Sequence, residues 1–347
     1  MKSPTRNIEA KDKNRIIWAV DPLQSPQEAK KIFLEIKTWA KRLNCQIQPV
    51  AVFSQSTDDY YIKLTTLRDK GIESFAYKTL NAYLKKANVK NLLPSHVVYS
   101  RSLSNREMAV TLSEYAEKTN AFIIFANTRA KKTWNPFRLG GFSETLVATS
   151  RVPVLLLNQS AVTSNKVSSI LFPTNFSRES KTALESLAMM AKPLKSKIVL
   201  FNQVENPNLF VPSYAEFSMA VDWETMQKDA EKATAKDLKK MADQISSDGV
   251  KCESIVQRQK KSLAKEILEL ASKQNVDLIA LSSHQGRLSQ ALLGGTARDI
   301  LLQAKCPVLI FHRPRPARSQ LKAHTSRPAS RNKTRKDATI ETPQVTN

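Results

Sequence analysis

The chain has 347 residues, 41% of them hydrophobic, which is enough for two domains of ordinary size, each with its own core. A formal charge of +23 favours polyanions (RNA, DNA, nucleotides, anionic membrane surfaces) and says nothing about fold. No apolar run approaches the roughly 20 residues of a membrane span, and none follows the basic MKSPTRN start, so the expectation is a soluble cytoplasmic protein without a signal peptide or membrane partner.

Three cysteines outside any C-x-x-C or Cys/His grouping argue against a disulfide framework and for a reducing compartment. Cys45, Cys252 and Cys306 read as small, partly buried hydrophobes.

Residues 1–13 are polar and aperiodic and read as a mobile arm. Arg15 to Asp21 is then a buried strand, and Ser25 caps a helix over 26–43 with Ala29, Ile32, Phe33, Ile36, Trp39, Ala40 and Leu43 on one face. Gln46–Phe53 is a second strand, 54–68 an irregular cover, and 72–86 a helix with Phe75, Leu80, Tyr83 and Leu84 as candidate buried positions. His96–Tyr99 is a short strand. Ser104 and Glu107 form a capping box for a helix over 105–119, and Ala121–Ala126 is the next buried strand. The loop 127–141 leads to a helix at 142–150, and Val152–Leu157 closes this half. Alternation of this kind makes a doubly wound parallel sheet.

The plan then starts again. Residues 169–175 restate the opening strand, 180–192 the first helix, 197–204 the second strand, 222–247 the second helix, 250–257 the third strand and 262–274 the third helix. Val276–Leu281 is a buried strand, 282–295 a polar loop, a helix starts near Thr296, and Val308–Phe311 is the last strand. Pro153 and Pro307, Gly141 and Gly295, and Asp21 and Asn175 share a spacing of 154 residues, which indicates a duplicated domain. The expected architecture is α/β, with two doubly wound five-stranded parallel-sheet domains in tandem. Their boundaries are 14–158 and 168–312, with a linker at 159–167 and a basic disordered tail at 313–347 holding nine Lys/Arg against Asp337 and Glu341.

The segment VDLIALSSHQGRLSQALLGGTARDILLQAKCPVLIF, from Val276 to Phe311, resembles the last third of the universal stress protein domain, and ILFPTNF at 170–176 resembles its first strand. Nucleotide-binding members carry Gly-x2-Gly-x9-Gly-Ser/Thr at this place. Here Gly295 and Thr296 match the end of that pattern, Ser282 and Gln285 stand at its first two glycines, and Gly286 lies one place late. A loop ending at a helix start offers backbone N–H groups and the positive end of the helix dipole to an anion.

The resemblance implies a regulatory or stress-resistance module that binds ATP or AMP with Mg in the second domain. Asn175 would face the ribose, Val204 the base, and Ser282, Gln285, Gly286, Gly295 and Thr296 the phosphates, with Arg287 and Arg298 adding charge. In the first half Ala126 and Arg129 take the early glycine positions, the loop is two residues longer, Phe142 replaces the hydroxyl, and Trp134, Pro136 and Phe137 add bulk, which reads as a degenerate site.

The resemblance also implies pairing through the last strand, making Val152–Leu157 and Val308–Phe311 interface candidates for an intramolecular pseudo-dimer or a homodimer. No Ser/His/Asp order, zinc spacing or Walker lysine loop is present, so no enzyme is expected beyond slow incidental ATP hydrolysis, with neither catalytic nor metal-ligating residues. The alternative is a polyanion-binding protein using its basic surface and tail for RNA or DNA on an inert tandem scaffold.

Overall fold

The computed structural model describes residues 14–54, 69–102, 104–128, 141–157, 166–205, 222–283 and 294–312. Several expectations lie outside the described residues: the arm, the segment 55–68, Arg129, Trp134, Pro136 and Phe137 of the first loop, most of the linker, Gln285, Gly286 and Arg287 of the second loop, and the tail.

The first half runs β1 (Arg15–Ala19), α1 (Pro26–Leu43), β2 (Gln46–Ser54), α2 (Asp69–Lys86), β3 (His96–Ser100), α3 (Asn105–Lys118), β4 (Ala121–Asn127), α4 (Gly141–Thr149) and β5 (Val154–Leu157). The second runs β6 (Ser169–Pro173), α5 (Arg178–Leu194), β7 (Lys197–Val204), α6 (Trp223–Ser247), β8 (Cys252–Arg258), α7 (Leu263–Lys273), β9 (Leu278–Ser282), α8 (Gly295–Gln303) and β10 (Val308–Phe311).

The ten strands form one sheet in the order β3-β2-β1-β4-β5-β10-β9-β6-β7-β8. Within each half the pairing is parallel. The halves join where β5 and β10 run antiparallel, Leu155 opposite Leu309 and Val154 opposite Ile310. All four residues of each joining strand are buried, as continuous apolar runs require.

The duplication extends to individual hydrogen bonds. Ile124 N donates to Pro153 O, and Ile279 N to Pro307 O; Val20 N donates to Val50 O, and Thr174 N to Phe201 O. The left-handed residues Asn44 and Lys195 end α1 and α5 alike, and Asn120 and Asn275 turn the chain into β4 and toward β9.

Strand residues alternate between two cores. Ile16, Trp18, Phe125, Phe172 and Leu309 face α1, α2, α5 and α6, while Ile17, Ile124, Leu171, Phe201 and Ile310 face α3, α4, α7 and α8. Burying both faces is what the apolar strands need, and both cores continue across the β5–β10 seam.

Ser25 caps α1 as expected, accepting from Glu28 N at 3.2 Å. Two expectations change. Phe75 is exposed, and Ala76 takes the buried position on α2, because the stripe of this helix is set by Leu80, Tyr83 and Leu84. Ser104 accepts from Glu107 N at 3.3 Å, but its own N–H goes to Ser102 Oγ, so the capping box is only half made.

Candidate functional site

In an open α/β sheet, ligands bind at the carboxyl edge where strand order reverses. In the second half that point lies between β6 and β9, since β7 continues from the other side of β6.

The turn after β6 is built by short hydrogen bonds. Asn175 is exposed, and its Oδ1 accepts from Ser177 N at 3.2 Å, an Asx turn that sets Ser177 to cap α5. Buried Thr174 anchors the turn: its O accepts from Asn202 Nδ2 at 2.7 Å, and its Oγ1 accepts from Phe176 N at 3.1 Å and from Ser180 Oγ at 2.8 Å. Phe176 is held at φ 60, a conformation costly for a bulky L-residue and tolerated here because the Thr174 bond and apolar packing fix it. Thr174 and Asn202 carry this turn, yet nothing in their sequence surroundings marks them, because their partners are fixed only by the β6–β7 register.

Val204, the last residue of β7, is buried, and its carbonyl accepts from Gln259 N at 2.8 Å. Ser282 ends β9 half-buried and pairs with Phe311. It is not among the positive-φ residues, so a Cβ carries no backbone cost where the family pattern has glycine.

Gly294 is the N-cap of α8 at φ −59, ψ 146, and Gly295 and Thr296 begin the helix, all three exposed. Among the described residues no side chain caps this end, and its first turn holds no acidic residue. A Cβ at Gly294 or Gly295 would meet nothing within 4 Å among the described residues. The N–H groups of this first turn and the helix dipole thus form an anion-receptive edge. Arg298, expected to add charge there, instead pairs with Glu144 of α4 through Nε at 3.4 Å, across the seam between the halves.

The first half starts from the same plan and closes it. Asp21 Oδ1 accepts from Leu23 N at 2.9 Å, again an Asx turn. Asn127, at the end of β4, donates through Nδ2 to Gln24 Oε1 at 3.0 Å, bridging the ends of β1 and β4. Its carbonyl accepts from Ser143 Oγ in α4. The Asn105 side-chain amide lies 3.1 Å from where a Cβ on Gly141 would stand, and Glu144 occupies the first turn of α4.

Several buried titratable groups have large shifts. Burial lowers the His312 imidazole to about 4, against the backbone carbonyls of Val147 and Val152, which favour its protonated form; its Nε2 contacts Val147 O across the seam. Burial raises the Glu35 carboxyl on α1 to about 7, and the thiols of Cys45 and Cys306 to about 11 and Cys252 to about 12, so all three cysteines are unreactive. Among the described residues no group of three or more His, Cys, Asp or Glu could hold a metal ion, and no helix is long and apolar enough to cross a membrane.

The universal stress protein family profile matches residues 166–312, the whole of the second half. A universal stress protein of Methanocaldococcus jannaschii is 30% identical over 152 residues, spanning 44% of this chain and 85% of that one. Among solved structures, a universal stress protein of Archaeoglobus fulgidus superimposes with a TM-score of 0.56 at 18% identity, covering 86% of this chain and 96% of that one. A putative universal stress protein of Pseudomonas aeruginosa gives 0.55 at 14%, covering 90% and 96%. These two likenesses establish the fold over both halves, and the sequence match establishes descent: the chain belongs to the universal stress protein family.

Proposed function

We propose that this chain is a regulatory, stress-resistance module whose second half binds ATP or AMP with Mg, while the first half is a filled copy that serves as packing partner. The observation that carries the reading is the start of α8, at the carboxyl edge beside the β6–β9 reversal, which among the described residues is uncapped, free of acids in its first turn and open above Gly294 and Gly295.

The residues fit a nucleotide in kind. Backbone N–H groups from Gly295 and Thr296 suit phosphate oxygens, the Asn175 amide suits a ribose hydroxyl, and the backbone of Val204 suits the edge of a base. The nucleotide supplies the signal, by its occupancy and phosphate number. The protein residues bind and orient it, and none is assigned a proton or nucleophile role, so the module acts by binding and not by turnover, in the cytoplasm.

Mass analysis of small molecules released on denaturing the purified protein is the direct test, and near one ATP or AMP per chain is expected. Gly294→Asp sharpens it. Aspartate is a good N-cap at this extended backbone, so helix stability holds or rises, while its carboxylate occupies the anion edge. Nucleotide affinity should fall by about tenfold or more, a loss of about 1.4 kcal/mol. A wild-type protein that binds no nucleotide, or a variant that binds as well as wild type, overturns the reading.

A further inference from the structure

Three of the four helices that cover one face of the sheet, α1, α2 and α5, carry a second feature. The exposed residues of α1 are Gln27, Lys30, Lys31, Leu34, Lys37 and Lys41: four cations, one large aliphatic side chain and no acid. On α2 the exposed, described residues include Phe75, Lys78, Lys85 and Lys86, again without an acid. On α5 they are Arg178, Lys181, Glu185, Met189, Lys192 and Pro193. All three helices pack on the same core, and α1 touches both of the others.

Leu34 is 49% exposed, Phe75 48% and Met189 70%, so each of the three helices presents one large apolar side chain among its lysines. The opposite side of the sheet differs. On α3 the exposed charges are Arg106, Glu107, Glu114, Glu117 and Lys118, a mixed set of the kind that merely solvates a helix.

Lysines around exposed aliphatic side chains such as Leu34 and Met189 match an anionic lipid surface, where cations meet headgroups and the apolar groups enter the interfacial layer. A nucleic acid uses the charges but has no use for exposed Leu34 and Met189, since base stacking needs aromatic platforms. We propose that the α2–α1–α5 face docks peripherally on anionic lipid headgroups. This departs from the sequence expectation of no membrane partner, which rested on the lack of a spanning segment.

The test is co-sedimentation of the full chain with vesicles of phosphatidylcholine alone or with about 30% phosphatidylserine, enough for the negative surface potential that attracts polybasic segments. Binding is expected only to the anionic vesicles and should weaken as salt rises. Lys30→Glu/Lys37→Glu/Lys41→Glu should lower it by about 100-fold, at about fivefold or more per lysine. Lys118→Glu/Lys265→Glu/Lys273→Glu, with the same net charge but on the opposite face, should bind like wild type.

Leu34→Ser/Met189→Ser changes only exposed side chains, so it should fold normally and bind lipid several-fold more weakly, while binding of a single-stranded RNA stays unchanged. No binding to anionic vesicles overturns the proposal. So does an equal loss in both lysine variants, binding that survives the α1 reversal, or indifference to the Leu34 and Met189 changes.

Discussion

The carboxyl edges of the two halves begin from one strand–turn–helix plan and end differently. After β1 and β4, Gln24, Asn127 and Ser143 hydrogen-bond to one another's elements, and Asn105 lies over Gly141. After β6 and β9, no side chain caps α8, and the space above Gly294 and Gly295 is open among the described residues. A duplicated domain keeps its scaffold because both copies need the same buried strands. An edge that no longer binds is free to accumulate side chains that satisfy one another.

The seam shows the same freedom. Glu144 and Arg298 occupy equivalent positions, 154 residues apart, and pair with each other. In a two-fold dimer of identical chains a residue at this place, beside the axis, would meet its own copy, so the opposite-charge pairing is available only once the copies have diverged within one chain.

The comparison can be broken most severely at the seam. Leu155→Ala and Leu309→Ala each remove a fully buried side chain from facing positions and should cost about 2–5 kcal/mol. Because the sheet is continuous, hydrogen exchange in peptides from β1–β2 and β6–β7 should accelerate together. Two separate unfolding transitions would show that the halves are energetically independent.

A comparable effect is hidden in the pH dependence. His312 titrates near 4 when folded and about 6.5 when unfolded, so its contribution to stability is complete above about 6.5 and lost as pH falls to 4. Glu35 titrates near 7 when folded and about 4.5 when unfolded, so its contribution is complete below about 4.5 and lost as pH rises to 7. Each is worth about 3 kcal/mol across its window, with opposite sign. Denaturant unfolding of the wild type should therefore be nearly flat between pH 4.5 and 6.5. Glu35→Gln should become more stable as pH rises through that range and His312→Gln less stable. Parallel slopes in the two variants would contradict the assignment.

The smallest test bears on the two helix starts. Gly295→Ala meets nothing within 4 Å among the described residues and should stabilise by up to about 1 kcal/mol. Gly141→Ala meets Asn105 Nδ2 at 3.1 Å and should gain nothing. Equal gains, read from thermal unfolding, would mean that Asn105 does not cover α4.

The order of strands and helices was legible in the chain because each apolar run has the length and period of one element, and the repeat was legible because Pro153/Pro307, Gly141/Gly295 and Asp21/Asn175 keep one spacing. Gly295 and Thr296 were legible as a helix start for the same local reason. Phe75 was misread because a helix stripe one residue wide of its true face still looks periodic, and only packing fixes the rotation.

By itself, then, the sequence determined the elements and their duplication, which follow from hydrophobic period and local turn chemistry, while the two seam strands were named only by the family resemblance. Tertiary structure alone decided that the halves share one sheet, that Arg298 serves Glu144, and that Gln24 and Asn127 close the first edge while the second is open among the described residues. Those outcomes depend on contacts between residues more than 100 positions apart, or on which of several polar side chains meet across a strand register, and no local pattern carries that information.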